Sequence, residues 1–287
     1  MTPKPRIKVL PLPRRLPRRG KAVTIGIGFK CIDGIVLAAD QQVTWRDSHK
    51  SYERKLCGHS SGKEWNATFT YAGSPVLWKS FNDKFGEAMA LLPVPPTVKS
   101  IRDVIETVLS FFDDLKQEPE NLSLLCAVTV PGDDHLLFRT SGYVIHKITD
   151  YEFVGFGDSS LLRFLGPLIT ASPPVATPDQ MGRIVRQAVM MATYLVMKAK
   201  THVDGCGGDT DVFVVRPDTS LTLWSLTEIY KMEQMMLMLE HHAQHVAAHF
   251  FDRRFSDDQL AKTLEFLVSR LKSDHHEFQI PVDSFTR

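Results

Sequence analysis

The chain has 287 residues, 43% of them apolar, and a formal net charge of +1. Such a composition supports a sizeable core and excludes a disordered chain, and the near-zero charge excludes a global pull toward nucleic acid or a membrane surface. Four scattered cysteines, Cys31, Cys57, Cys126 and Cys206, form no CxxC pair, which argues against a zinc ribbon or disulfide framework and fits a reducing cytoplasm; no apolar run approaches the roughly 18 residues of a membrane span.

Residues 1–21 hold five prolines, no acid and a run of basic residues from Lys4 to Lys21. Proline blocks a continuous helix and like charges repel, so residues 1–23 read as a basic arm: a solvated tail, a cleaved propeptide or a docking arm. The arm lacks the apolar stretch of a secretory signal. Thr24 to Cys31 then alternates apolar and small residues, which predicts a strand. Asp33-Gly34 predicts a hairpin turn, because glycine supplies positive φ. The apolar run Ile35–Ala39 predicts a second, buried strand ending at Asp40.

Gln41 to Arg54 is polar, followed by Lys55-Leu56-Cys57. His59 to Trp65 reads as a hairpin tip and Asn66 to Ala72 as a strand ending at Gly73-Ser74. Spacings of three and four predict helices over 74–92 and 97–115. The period returns to two over 122–130, 135–139, 142–148 and 151–154. Gly155-Phe156-Gly157-Asp158 forms a loop into a helix at 159–169, and residues 178–200 predict a longer helix. A glycine-rich loop at 202–208 and strands at 211–215 and 221–226 follow. Residues 227–250 and 257–271 read as helices. This order of strands, two helices, strands, two helices and strands predicts an α+β fold: a four-layer αββα sandwich over 24–226 with a helical extension at 227–287.

The stretch TIGIGFKCIDGIVLAAD, followed in order by RKL, YAGS, VGFGD and GCGGDTDV, resembles the proteasome-type, β-subunit-like members of the N-terminal-nucleophile hydrolases. The resemblance implies a threonine peptidase with Thr24 as an N-terminal nucleophile, Gly34 ten residues later, Asp40 sixteen later, and Lys55 fifteen after Asp40. It places an oxyanion-binding backbone N–H at Gly73. A threonine hydroxyl needs a base, which a freed α-amine of ordinary pKa about 7.7–8.0 would supply. Lys55 would lower nearby proton affinities and Asp40 would hold Lys55 charged. The supporting positions are Asp204, Cys206 and Phe156, of which Cys206 and Phe156 replace serines, and Val23 stands where glycine usually precedes the nucleophile. A specificity pocket near Val43, Glu53 and Tyr71 is also implied.

The same resemblance implies a peptide or unfolded-protein substrate lying as an extended strand, a homo-oligomeric ring and a regulatory ATPase as partner. Two alternatives stay open: a non-catalytic structural subunit of such a ring, and a stand-alone amide hydrolase. Taken singly, Thr24 is an ordinary strand threonine, Asp40 a strand-end cap and Lys55 a surface lysine. His241, His245 and His249 share a helix face beside His242 and Glu240, but they do not form an HExxH motif, and no metal or cofactor is expected.

Overall fold

The computed structural model describes residues 24–44, 50–114, 122–155, 184–251 and 256–283. The basic arm, Phe156, the helix expected at 159–169 and residues 178–183 lie outside the described residues. Among the described residues the chain is mixed α and β, with antiparallel sheets and five helices.

β1 (Ile25–Cys31) and β2 (Gly34–Asp40) form the hairpin, joined by Ile32 and Asp33. The turn therefore falls one residue before the expected pair. Gly34 pairs with Cys31 and keeps φ +151°, and a Cβ there would stand 2.6 Å from the Val215 carbonyl oxygen. Glycine is needed for close approach to a neighbouring strand rather than for the turn itself. A short hairpin, β3 (Gln42–Thr44) with β4 (Lys50–Tyr52), lies within the polar segment that the sequence left without structure.

The second sheet uses β5 (Leu56–Ser60), β6 (Asn66–Gly73), β7 (Leu122–Thr129), β8 (Leu136–Ser141) and β9 (Val144–Ile148), in that order and antiparallel throughout. The first sheet runs β10-β1-β2-β11-β12, with β10 (Tyr151–Gly155), β11 (Thr210–Val215) and β12 (Leu221–Leu223). Leu226, read from sequence as the end of a strand, instead begins a helix.

α1 (Pro75–Met89) starts at Ser74, whose Oγ accepts from the Leu77 N–H at 3.4 Å, with proline at the first helical turn. Phe81 and Phe85 of α1 pack with Ile101, Ile105 and Leu109 of α2 (Val98–Asp114) on Phe69, Leu124 and Phe138 of the second sheet. On the first sheet, Ala188, Val189, Ala192 and Val196 of α3 (Val185–His202) cover Ile27, Phe29 and Val212. Ile229 and Met232, from the first turns of α4 (Leu226–Phe251), join that core. α5 (Asp257–Asp283) packs on α4 and runs well beyond the expected residue 271, through the polar stretch 272–277, which carries no apolar stripe to read.

A third core lies between the sheets. Ile35, Leu37, Ala39, Phe213 and Val215 of the first sheet meet Leu125, Ala127 and Leu137 of the second. This explains the alternation in β1. Ile25, Ile27 and Phe29 point under the helices. Gly26 and Gly28 face the second sheet: a Cβ on Gly26 would stand 2.9 Å from the Thr70 methyl, and one on Gly28 3.0 Å from Leu137.

Candidate active site

Antiparallel pairing of β1 with β2 brings the start of one beside the end of the other. Thr24, just before β1, thereby meets Asp40, the last residue of β2. The Thr24 hydroxyl donates to Asp40 Oδ1 at 3.0 Å, and the Ile25 N–H donates to the same oxygen at 3.0 Å. Lys55, just before β5, reaches in from the second sheet's edge. Its Nζ lies 2.7 Å from Asp40 Oδ1, donates to the Gln42 carbonyl at 2.5 Å and hydrogen-bonds Thr24 Oγ1. The Gly207 N–H donates to Asp40 Oδ2 at 3.0 Å. Thr24, Asp40 and Lys55 are 3%, 0% and 1% exposed.

An ion pair this deep is tolerated only when its remaining donors and acceptors are met. Here the ammonium's three donors have three acceptors, and both carboxylate oxygens are occupied. Burial is the larger influence on Lys55 and holds its pKa below the ordinary lysine value, while Asp40 opposes that shift. A lysine so poised, in contact with a hydroxyl, can exchange a proton with it.

Cys206 is buried beside the cluster. Burial first, then the Asp40 charge, push its thiol up to about 12, so it stays neutral. Gly155 ends β10 at φ +89°; a Cβ there would stand 2.2 Å from the Thr24 carbonyl oxygen and 3.0 Å from the Ala72 side chain. Gly155 thus lies against both the Thr24 carbonyl and the Ala72 side chain. Gly73 follows Ala72 at the end of β6, with φ +116°.

The structure brings together Thr24, Asp40 and Lys55, with Cys206 beside them and Gly73 at the end of the adjoining strand. It does not bring in Asp204, which is exposed at the start of its loop; Gly207 of that loop makes the contact instead. Of the residues expected to line a pocket, Val43 and Tyr71 are buried, Tyr71 stacking on Trp78 at 4.9 Å, and Glu53 is exposed. Two surface depressions line α2 and β9 around Glu106, and none of their lining residues belongs to the cluster.

Sequence reasoning passed over the Gln42 carbonyl and the approach of Gly155 to Thr24, and it gave Gly207 no role. The paired glycines 207 and 208 were a signal for the loop; nothing in the sequence marks a backbone carbonyl. Among the described residues no cluster of three or more potential ligands could hold a metal. Glu240, beside the histidines, is engaged by Lys198 Nζ at 2.7 Å and by the Tyr194 hydroxyl. Among the described residues no helix is long and apolar enough to cross a membrane.

No protein-family model matches the chain, and no curated protein matches it. Solved structures do. Anbu from Hyphomicrobium sp. strain MC1 is similar with TM-score 0.62 at 14% identity, over 77% of this chain and 97% of that one. Anbu from Yersinia bercovieri, described as an ancestral beta-subunit, gives TM-score 0.59 at 15% identity, over 77% and 97%. The Anbu complex from Pseudomonas aeruginosa, solved as a helical assembly, gives 0.61 at 15% over 77% and 96%.

At that identity the likeness is one of fold. It corrects the resemblance drawn from sequence: the chain is not placed among the proteasome-type N-terminal-nucleophile hydrolases, because no family model matches and the structural neighbours are distant. The physical reason lies in β1 and β2. Small residues facing a second sheet, and a glycine beside the turn, are what packing requires of such a hairpin, so the motif reports backbone geometry before lineage.

Proposed function

We propose that the chain is an amide-bond hydrolase of threonine type, acting on peptides through the Thr24 hydroxyl. The observation that carries this reading is the buried contact of Thr24 Oγ1 with both Asp40 and Lys55. In this mechanism the 24–226 segment forms an αββα stack, a reading supported by one core between the sheets and one under the helices on each outer face. Removal of residues 1–23 frees the Thr24 amine. That amine takes the hydroxyl proton as Oγ attacks the substrate carbonyl. Asp40 keeps Lys55 in place and the Gly73 N–H receives the developing oxyanion. The Thr24 ammonium then returns its proton to the substrate nitrogen as the C–N bond breaks and the amine departs. Water, deprotonated by the same Thr24 amine, cleaves the resulting ester to release the acid and restore the Thr24 hydroxyl. The substrate lies extended along the sheet. Copies of the chain associate, α4 and α5 presenting the outer surface; the Anbu complex of Pseudomonas aeruginosa, an assembly of a similar fold, is consistent with this.

A second reading has its own support. Thr24 is 3% exposed and Cys206 is a neutral, buried thiol, features that suit a non-catalytic structural subunit of a ring. Intact mass and N-terminal sequencing, with a Thr24→Ala control and exposure to a β-lactone electrophile, separate the two. The hydrolase reading expects a chain beginning at Thr24, acylated on that residue, and an uncut control. A chain that retains Val23 and resists the electrophile overturns it in favour of the structural subunit.

A further inference from the structure

β11 is an apolar strand with one anomaly. Asp211 sits opposite Ala39 of β2, and by alternation it shares a face with Phe213 and Val215, toward the core between the sheets. It is 1% exposed. A carboxylate there is costly compared with the apolar side chain that its neighbours would accommodate, unless it is tied to partners.

Its partners lead to the cluster. Oδ1 accepts from Gln41 Nε2 at 3.1 Å. Oδ2 faces Arg54 Nε at 3.6 Å and has no hydrogen bond among the described residues. Gln41 is fixed at every polar atom of its backbone: its N–H is shared between the Gly207 and Asp209 carbonyls at 3.2 Å each, and its carbonyl accepts from the Glu53 N–H at 2.8 Å. Gln41 lies between Asp40 and Gln42, and Arg54 immediately precedes Lys55. One carboxyl therefore grips the residue next to each of the groups that meet at Thr24.

We propose that Asp211 is a positioning residue: by holding Gln41 and Arg54 together it sets the Gln42 carbonyl on Lys55 Nζ, and Lys55 Nζ in turn on Thr24 Oγ1. Asp211 touches neither Thr24 nor the reacting atoms; it acts through the two segments that it joins. Its importance to activity rests on the proposed hydrolase reading, but the placement of Lys55 does not.

The experiment uses the full chain and three variants, Asp211→Asn, Asp211→Glu and Arg54→Ala, the last at a half-exposed side chain whose loss spares the core. Acetylation by an N-hydroxysuccinimide ester is read by mass spectrometry at Lys55, at exposed Lys79 and Lys99, and at Lys198, which Glu240 holds on α3. Asp211→Asn and Arg54→Ala are expected to speed Lys55 acetylation about tenfold through local opening, with Lys198 unchanged, and Asp211→Glu to restore part of the protection. Equal protection of Lys55 in every variant, or loosening of Lys55 and Lys198 together, overturns the proposal. β-Lactone acylation of Thr24 is followed in parallel. If the parent chain is inert while Lys55 loosens as described, the hydrolase reading fails and the positioning role stands. If the parent chain reacts, Asp211→Asn is expected to slow acylation about tenfold, with restoration by Asp211→Glu; an unchanged rate overturns the proposal.

Discussion

Asp40 gathers four donors: a hydroxyl, an ammonium and two backbone amides. Removing Lys55 would strand this carboxylate with no cation. Lys55→Ala is therefore expected to cost about 3–5 kcal/mol in urea unfolding, whereas the double change Asp40→Asn with Lys55→Met, which removes both charges, should recover most of that loss. Cys206 gives a prediction in pH. Its folded value of about 12 lies above the ordinary 9.0, so the folded state retains a proton that the unfolded chain releases. The associated stability is complete below about pH 9 and falls as pH rises toward 12, by up to about 1.4 kcal/mol per pH unit. Melting temperatures from pH 8 to 11 should decline less steeply in Cys206→Ala than in the parent chain. At this scale, the types and spacing of Thr24, Asp40 and Lys55 could be read directly, since all three are side chains in one early stretch. Gln42 contributes a carbonyl and Gly207 an amide, groups that every residue owns, and Asp211 looked like a strand residue because its partners are remote.

Two glycines at opposite ends of the first sheet separate packing from site. Gly34 lies at the hairpin end, where an added methyl meets the Val215 carbonyl. Gly155 lies at the Thr24 end, where an added methyl meets the Thr24 carbonyl. Each alanine substitution should cost at least about 1–3 kcal/mol in backbone strain, measured by urea unfolding. Gly155→Ala should also displace Thr24 and suppress its β-lactone acylation, while Gly34→Ala should leave the acylation rate of folded protein unchanged. Most elements were legible from period: the apolar repeat of α2 and the alternation of β1 follow directly from helix and strand geometry. The β3–β4 hairpin was not, because its three-residue strands are too short to establish a period. Leu226 fits a strand or a helix as a single leucine, and only its backbone, at the first position of α4, decides.

Across the whole molecule, the two sheets differ in how they use the chain. Ile229 and Met232 of α4 belong to the core of the first sheet, whereas α5 touches chiefly α4. A chain ending after residue 251 should therefore keep a cooperative melt, and one ending at 226 should lose it or melt far lower, by circular dichroism. The second sheet takes all its strands from one continuous stretch, 56–148. The first pairs β2 with β11, and its closing contacts span most of the chain: Asp40 to Gly207 is a separation of 167 residues and Gln41 to Asp211 one of 170. Contacts so distant form late, because loop closure must precede them. During synthesis Thr24 and Asp40 emerge early, yet Asp40 lacks the Gly207 amide, and its neighbour Gln41 lacks Asp211, until the β11 segment has left the ribosome. The order of the chain thus acts as a timer: a nascent protein carries the hydroxyl and its partners as loose parts, and the complete cluster exists only once the last strands have closed the first sheet.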